Sequence, residues 1–322
     1  MAAKALRRLG VFAVCLLGAS LVVFLISNWL PGDVAQVMLG TDATPEALAR
    51  VRAELGLDQP LWLRYFAWIG GLLTGNLGTS PLSHYPVWEL LAPRVAVTLW
   101  LVVLGIGLSI LIALPLGMYA ALRRRHLGGF AVSGLAQIGM AVPVFWGGIL
   151  LALVFAVWLR WLPANGYVPL TRDPAGWAAH LALPVLTLGL VQAAVLVRYV
   201  RSAFVEVLHE DYLRTARAIG WSEFRALLRH GVRNAAISLV TVVGLQLAAA
   251  LVGAIVVEQV FTLPGIGSLL LDAVSKRDLV VVQATVMLLV LAVLAINYRV
   301  DVSYLLIDPR QRSRGAAPEG RA

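Results

Sequence analysis

A chain of 322 residues in which 60% are hydrophobic and 13% charged lies outside the range of soluble domains, where about a quarter of residues carry charge, and reads as a multi-pass membrane protein. The formal net charge of +9 does not point to nucleic acid, because the basic residues gather at the ends of apolar segments, as membrane topology requires. Cys15 is the sole cysteine, which excludes a disulfide framework and a thiolate metal site, and neither lysine, Lys4 or Lys276, follows the glycine-rich loop that a chain hydrolysing ATP itself would need.

A hydrocarbon core of about 30 Å takes about 20 apolar residues in a helix. Six segments meet that length: Leu9–Leu30, Val95–Leu122, Phe130–Leu159, Leu181–Val200, Ala235–Val257 and Leu279–Leu306. The first follows Lys4, Arg7 and Arg8 and continues past Ser20 with no clear small-residue cleavage site, so it is predicted to be a retained signal anchor. Between the first two spans, Pro45–Leu57 has helical character. Leu61–Leu73 carries Trp62, Tyr65, Phe66 and Trp68; it suits either the membrane interface, where Trp and Tyr concentrate, or an ordinary packed cap. Pro115, Pro143 and Pro184 fall inside spans and predict kinks. With the N-terminus inside, seventeen basic residues fall on the cytoplasmic side, including Arg123–Arg125 and Arg310, Arg312, Arg314 and Arg321 of the tail. Eight fall outside, so the asymmetry places both termini in the cytoplasm.

An ionisable group at mid-bilayer costs about 2.5–3.5 kcal/mol on insertion scales, which makes each one a functional candidate. Few occur here. Gln137, Gln192, Gln246 and Asn297 are neutral amides that either line a pathway or bond across helices. Glu258 closes the fifth span as a cap or as a gate, and Arg299 and Asp301 are expected to pair with Arg198 or Arg201. All five histidines lie in loops or at interfaces. No midplane relay is visible, which disfavours a proton-driven secondary transporter and an intramembrane enzyme.

The stretch Glu206–Arg233 is the long hydrophilic run of the second half. Within it His209–Gly220 reads as a short helix, with Glu210 and Asp211 at the end where the helix dipole favours negative charge and Gly220 at the left-handed C-cap. Tyr212, Thr215, Ala216 and Ile219 share one predicted face, with Arg214 and Arg217 off it. So short a helix is marginal alone in water and needs a surface. Two surfaces are open: the chain's own membrane domain, or a soluble partner.

Several motifs, in order along these spans, carry a resemblance: Leu30-Pro31-Gly32-Asp33, Leu55-Gly56-Leu57-Asp58-Gln59-Pro60-Leu61 and Gly75-Asn76-Leu77-Gly78-Thr79-Ser80 early on. Later come Glu258-Gln259-Val260-Phe261-Thr262-Leu263-Pro264-Gly265-Ile266-Gly267, Arg277-Asp278-Leu279, Asp301-Val302-Ser303-Tyr304 and Asp308-Pro309-Arg310. Nearly the whole chain resembles the B-type permease subunit of bacterial ATP-binding-cassette (ABC) importers of the dipeptide/oligopeptide/nickel group. The resemblance implies an all-α polytopic protein of six transmembrane helices with the type I importer (MetI-like) permease fold, in the bacterial cytoplasmic membrane. Its parts would be an N-terminal transmembrane helix (1–30), a periplasmic region with short helices (31–94), a five-helix core (95–308) holding the cytoplasmic loop 206–233, and a cytoplasmic tail (309–322). It implies no catalytic residue, no metal site and no cofactor bound by this chain, ATP and Mg belonging to partner subunits. The implied partners are a sister C-type permease, two ABC ATPases, an external substrate-binding protein and the bilayer, with no nucleic acid. The implied cargo is a di- or oligopeptide, or else a nickel chelate, glutathione or another small solute; a stand-alone channel or secondary transporter is the rival of another class. In this family the cytoplasmic loop carries the EAA motif, which Arg214–Gly220 resembles, with Arg214 in place of the motif's first glutamate and Val232-Arg233 where a Leu-Pro pair is expected. The resemblance thus implies an ATPase-coupling helix comprising Asp211, Tyr212, Arg214, Thr215, Ala216, Arg217, Ala218, Ile219 and Gly220 and continuing through Trp221, Ser222 and Glu223, with Ala216 on the docking face.

Overall fold

The computed structural model describes residues 2–29, 34–40, 43–54 and 56–307, which are almost wholly helical. The motif Leu30–Asp33, residue Leu55, the motif Asp308–Arg310 and the tail 309–322 lie outside the described residues. The helices are α1 (Ala2–Trp29), α2 (Val34–Leu39), α3 (Pro45–Glu54), α4 (Leu61–Leu73), α5 (Val87–Leu122), α6 (Leu127–Ala141), α7 (Val144–Ala152), α8 (Pro174–Val207), α9 (Asp211–Ala218), α10 (Glu223–Ala226), α11 (Val232–Val260), α12 (Ile266–Ser275) and α13 (Leu279–Ile307). Wider π-helical turns extend α7 over Leu153–Trp158 and lead into α11 over Leu227–Gly231.

Among the described residues, five continuous stretches are long and apolar enough to cross a membrane: Arg7–Trp29, Val87–Leu122, Pro174–Val207, Leu239–Val260 and Leu279–Val300. The predicted third span, Phe130–Leu159, is not one rod. It is the pair Leu127–Ala141 and Val144–Trp158, bent by 100° at the break, so six spans result when that pair counts as one. Pro143 explains the break: it has no N–H to donate, and its ring drives the preceding residue out of the helical region. Val142 (φ −79°, ψ 119°) and Pro143 (φ −60°, ψ 140°) are accordingly both extended. Pro115 and Pro184 act otherwise, since α5 and α8 run through them uninterrupted. The fourth span starts earlier than its apolar run, at Pro174, because Asp173 Oδ1 accepts from Ala175 N at 3.0 Å and proline suits the first helical turn.

Contacts divide the chain into two units. The first comprises, of the described residues, 2–5, 99–263 and 295–307. Its centre is α8, packed by α6, α7 and α11. Small residues bring the helices close: a Cβ on Gly117 of α5 would stand 2.5 Å from Val200 Cγ1 of α8, and one on Gly189 would stand 2.8 Å from Leu108 Cδ2. This is how membrane helices associate when burial from water is not available to drive them together.

The second unit comprises 6–98 and 264–294. Val87 and Leu91 of α5, Leu269 and Ala273 of α12, and Val281 and Val282 of α13 form its core. Two polar ties fix the helix starts. Thr98 Oγ1 accepts from Ile266 N at 2.9 Å at the start of α12. Asp278, buried, accepts from Val281 N at 3.2 Å at the start of α13, while its other oxygen accepts from the Ser80 hydroxyl. The separated motifs Gly75–Ser80 and Arg277–Leu279 therefore meet at one buried carboxylate. Asp278→Ala is expected to leave both donors unpaired at a cost of about 1–3 kcal/mol, and Asp278→Asn, which still accepts, less. Thermal unfolding in detergent checks this; equal midpoints for wild type and Asp278→Ala would contradict it.

Candidate functional site

The segment between α8 and α11 builds the candidate site. Helix α8 ends at Val207, and Glu210 adopts an extended conformation ahead of α9. The predicted helix is two residues shorter at each end than His209–Gly220, running Asp211–Ala218. Its C-terminus closes as a Schellman motif, with Trp221 N bonding Ala216 O at 3.1 Å and Gly220 N bonding Arg217 O at 3.0 Å. That closure needs a left-handed residue at Gly220, which has φ +95°.

The helix is turned differently from the predicted face. Leu213 and Ala216 are buried in a cluster with Phe204, Val207, Ala226 and Leu227, and Tyr212 packs beside it. Thr215 and Ile219, expected on the same face as Ala216, are exposed, Ile219 at 72%. Ala216 therefore seats α9 on its own chain and is not part of an outward docking face. Leucine decides the orientation: burying Leu213 gains more than burying threonine, and a shift of one position turns a helix by about 100°. Tyr212 adds a tether, its hydroxyl accepting from Asn234 Nδ2 of α11 at 2.8 Å.

The outward face carries Asp211, Arg214, Thr215, Arg217, Ala218 and Ile219. Arg214 lies 3.3 Å from Asp211 and Arg217 3.6 Å from Glu223, all exposed side chains, so these pairs contribute little to stability and leave the basic groups available. Trp221 is half-buried beneath the Arg229 guanidinium, 5.6 Å from its ring centre, and 5.8 Å from the His230 ring. Ser222 caps α10, accepting from Arg225 N at 3.4 Å, and Glu223 begins that helix. The result is an apolar knob, Ile219, set among arginines on a helix firmly seated from behind. That surface suits an acidic groove with an apolar floor. The Asn234 tether and the Trp221–Arg229 contact are not legible in the sequence, since the partners of each pair lie on different elements.

The five polar span residues do not form one cluster. Gln192 of α8 and Gln246 of α11 clasp each other, each side-chain amide donating to the other's backbone carbonyl at 3.4 Å. Glu258 is fully buried near the end of α11, and its backbone carbonyl accepts from Leu263 N at 2.9 Å. Gln137 and Asn297 are exposed. Arg198 lies over the Tyr199 ring, 5.0 Å from its centre, and the Asp301 side chain expected to pair with Arg198 or Arg201 lies outside the described residues.

The profile of the family described as "Binding-protein-dependent transport system inner membrane component" matches residues 113–313, and that of the N-terminal region of such components matches residues 1–102. The chain belongs to this family of binding-protein-dependent inner-membrane components. A putative peptide transport system permease protein of Brucella abortus is 40% identical, with 97% of this chain and 99% of that protein aligned. The dipeptide transport system permease protein of Escherichia coli K12 is 38% identical, over 96% of this chain and 98% of that protein. The glutathione transport system permease protein of Salmonella choleraesuis is 43% identical, over 95% and 98%. The fold resembles that of a chain of the inward-facing MetNI methionine ABC transporter, with TM-score 0.56 at 19% identity, covering 69% of this permease and 98% of that chain. These matches agree with the resemblance carried by the motifs. The protein is an inner-membrane permease subunit of an ABC importer, with the MetI-like helical fold.

Proposed function

We propose that this permease is one half of the membrane pathway of a peptide importer driven by alternating access, and that α9 is the lever through which a cytoplasmic ATPase moves it. The observation that carries the reading is the seating of α9, a rigid two-turn helix between α8 and α11, anchored by Leu213, Ala216 and Tyr212, with Ile219 and its arginines facing out. Closure of a pair of ABC ATPases, which bind the ATP and Mg, pulls on α9, and the clasp between Gln192 and Gln246 carries the motion into α8 and α11 together. A sister C-type permease completes the pathway, and an external binding protein delivers cargo. Gln137 and Asn297 are offered to that shared pathway and Glu258 to its gate. No chemical step takes place in this chain.

Di- or oligopeptide cargo is favoured by the Brucella and E. coli relatives, glutathione by the Salmonella relative. Calorimetry on the partner binding protein separates them. Reconstitution with the sister permease but without any nucleotide-hydrolysing subunit is expected to give no accumulation against a gradient; uphill uptake would refute the reading. The proposed topology puts both termini and α9 in the cytoplasm. In a Cys15→Ala background, Ser222→Cys is then expected to react with an impermeant maleimide only from the cytoplasmic side, and reaction from outside would reverse the scheme.

A further inference from the structure

We infer that α4 is a membrane-dipping helix whose exposed face is solvated by the acyl chains of the leaflet adjoining the first long loop. Two rulers within the second unit give its depth. The α1 span ends at Trp29, and Ser20, nine residues earlier, lies about 14 Å below that end at 1.5 Å per residue. The Tyr65 hydroxyl of α4 is 2.9 Å from Ser20 Oγ, and the Phe24 ring touches Tyr65 and Trp68 at 5.4 and 5.8 Å between ring centres. Helix α13 starts at the same level as the loop, because Asp278 beside its first turn binds Ser80. Leu72 and Leu73 of α4 share a cavity with Leu16, Met287 and Leu291. Leu291 lies twelve residues beyond Leu279, about 18 Å along the helix. Half the hydrocarbon core is about 15 Å, so the first ruler carries the Tyr65 hydroxyl, and the second the end of α4, to the region of the bilayer middle. Its thirteen residues, about 20 Å of helix, are enough to reach there from the interface.

Three further features fit hydrocarbon and not water. Trp62, Phe66 and Leu73 are 64%, 65% and 84% exposed, on a helix whose single charge is Arg64. The cavity beside it, about 200 Å³, is lined by apolar side chains and by Ser20, whose hydroxyl is already engaged with Leu17 O and Tyr65; such a space is filled by hydrocarbon in preference to water. The returning turn bonds part of its backbone internally: Thr74 Oγ1 donates to Gly71 O at 2.9 Å, Asn76 N to the same carbonyl at 2.8 Å, and Gly78 N to Asn76 Oδ1 at 2.9 Å. Gly75, at φ +79°, lets the chain reverse there. Irregular backbone at membrane depth requires such internal partners.

The test uses the permease purified with its co-expressed partners in phospholipid nanodiscs, with Cys15→Ala and single nitroxide-labelled cysteines at Trp62, Phe66, Leu73 and, as an exposed loop control, Ser83. The three α4 side chains are exposed, so replacing them removes little packing. Collisions with oxygen are expected to exceed collisions with water-soluble chromium oxalate by several-fold at Phe66 and Leu73, with depth increasing in the order Trp62, Phe66, Leu73. Chromium access equal to that at Ser83, or a different depth order, would overturn the inference. So would shielding from both reagents, which would mean that a protein partner covers the face.

Discussion

Ile219→Asp is expected to leave the permease folded and inserted while uncoupling it from ATP hydrolysis. The side chain is 72% exposed and outside the packed cluster, so the substitution costs the isolated chain little. In the proposed complex the same side chain fills the floor of an ATPase groove. Truncating a central interface anchor typically costs about 2 kcal/mol or more, about a 30-fold loss of affinity, and a carboxylate buried in that floor adds a desolvation penalty. Hydrolysis stimulated by the loaded binding protein, measured in proteoliposomes beside uptake, should fall by at least that factor. Wild-type stimulation and uptake in the variant would remove Ile219 from the docking face.

Ala216→Trp is expected to fail for a different reason, inside the chain. Ala216 is 6% exposed and packs with Leu213, Phe204 and Leu227. Extra methylenes in a filled cluster already cost about 1–3 kcal/mol, and an indole adds far more volume, so α9 must lift off α8 and α11. The Schellman closure goes with it, because Trp221 bonds the carbonyl of residue 216 itself. Limited trypsin digestion reads this directly: Arg214, Arg217 and Arg225 should be cut much faster in Ala216→Trp and at the wild-type rate in Ile219→Asp. Transport is lost in both variants, but only one loses the loop. Unchanged digestion of Ala216→Trp would show that α9 is not seated as described.

These two variants mark the limit of what the helix pattern in the sequence could say. A short helix was legible to within two residues at each end, read as His209–Gly220 and found as Asp211–Ala218, because end charge and a glycine C-cap are local signals. Which side faces inward was not. Residues 212, 215, 216 and 219 and residues 213 and 216 are both plausible helical stripes, and the choice rests on the cavity presented by α8 and the turn before α11. The outward cluster around Trp221 was illegible for the same reason, since Arg229 reaches it only after two intervening changes of helix type.

The membrane class and the approximate spans follow from composition and near-neighbour chemistry alone. Each depends on transfer of a segment from water to hydrocarbon or on bonds within one turn, and neither needs to know the fold. Pro143 shows how far that goes: proline at 115, 143 and 184 reads identically, yet only the middle one breaks its helix, where the chain turns through 100°. The tertiary structure alone decided the face of α9, the pairing of Gln192 with Gln246, the meeting of Ser80 with Asp278, and the packing of Tyr65 of α4 on Ser20 and Phe24 of α1. All four are agreements between surfaces far apart in sequence, and the free energy that selects them exists only once the helices are packed.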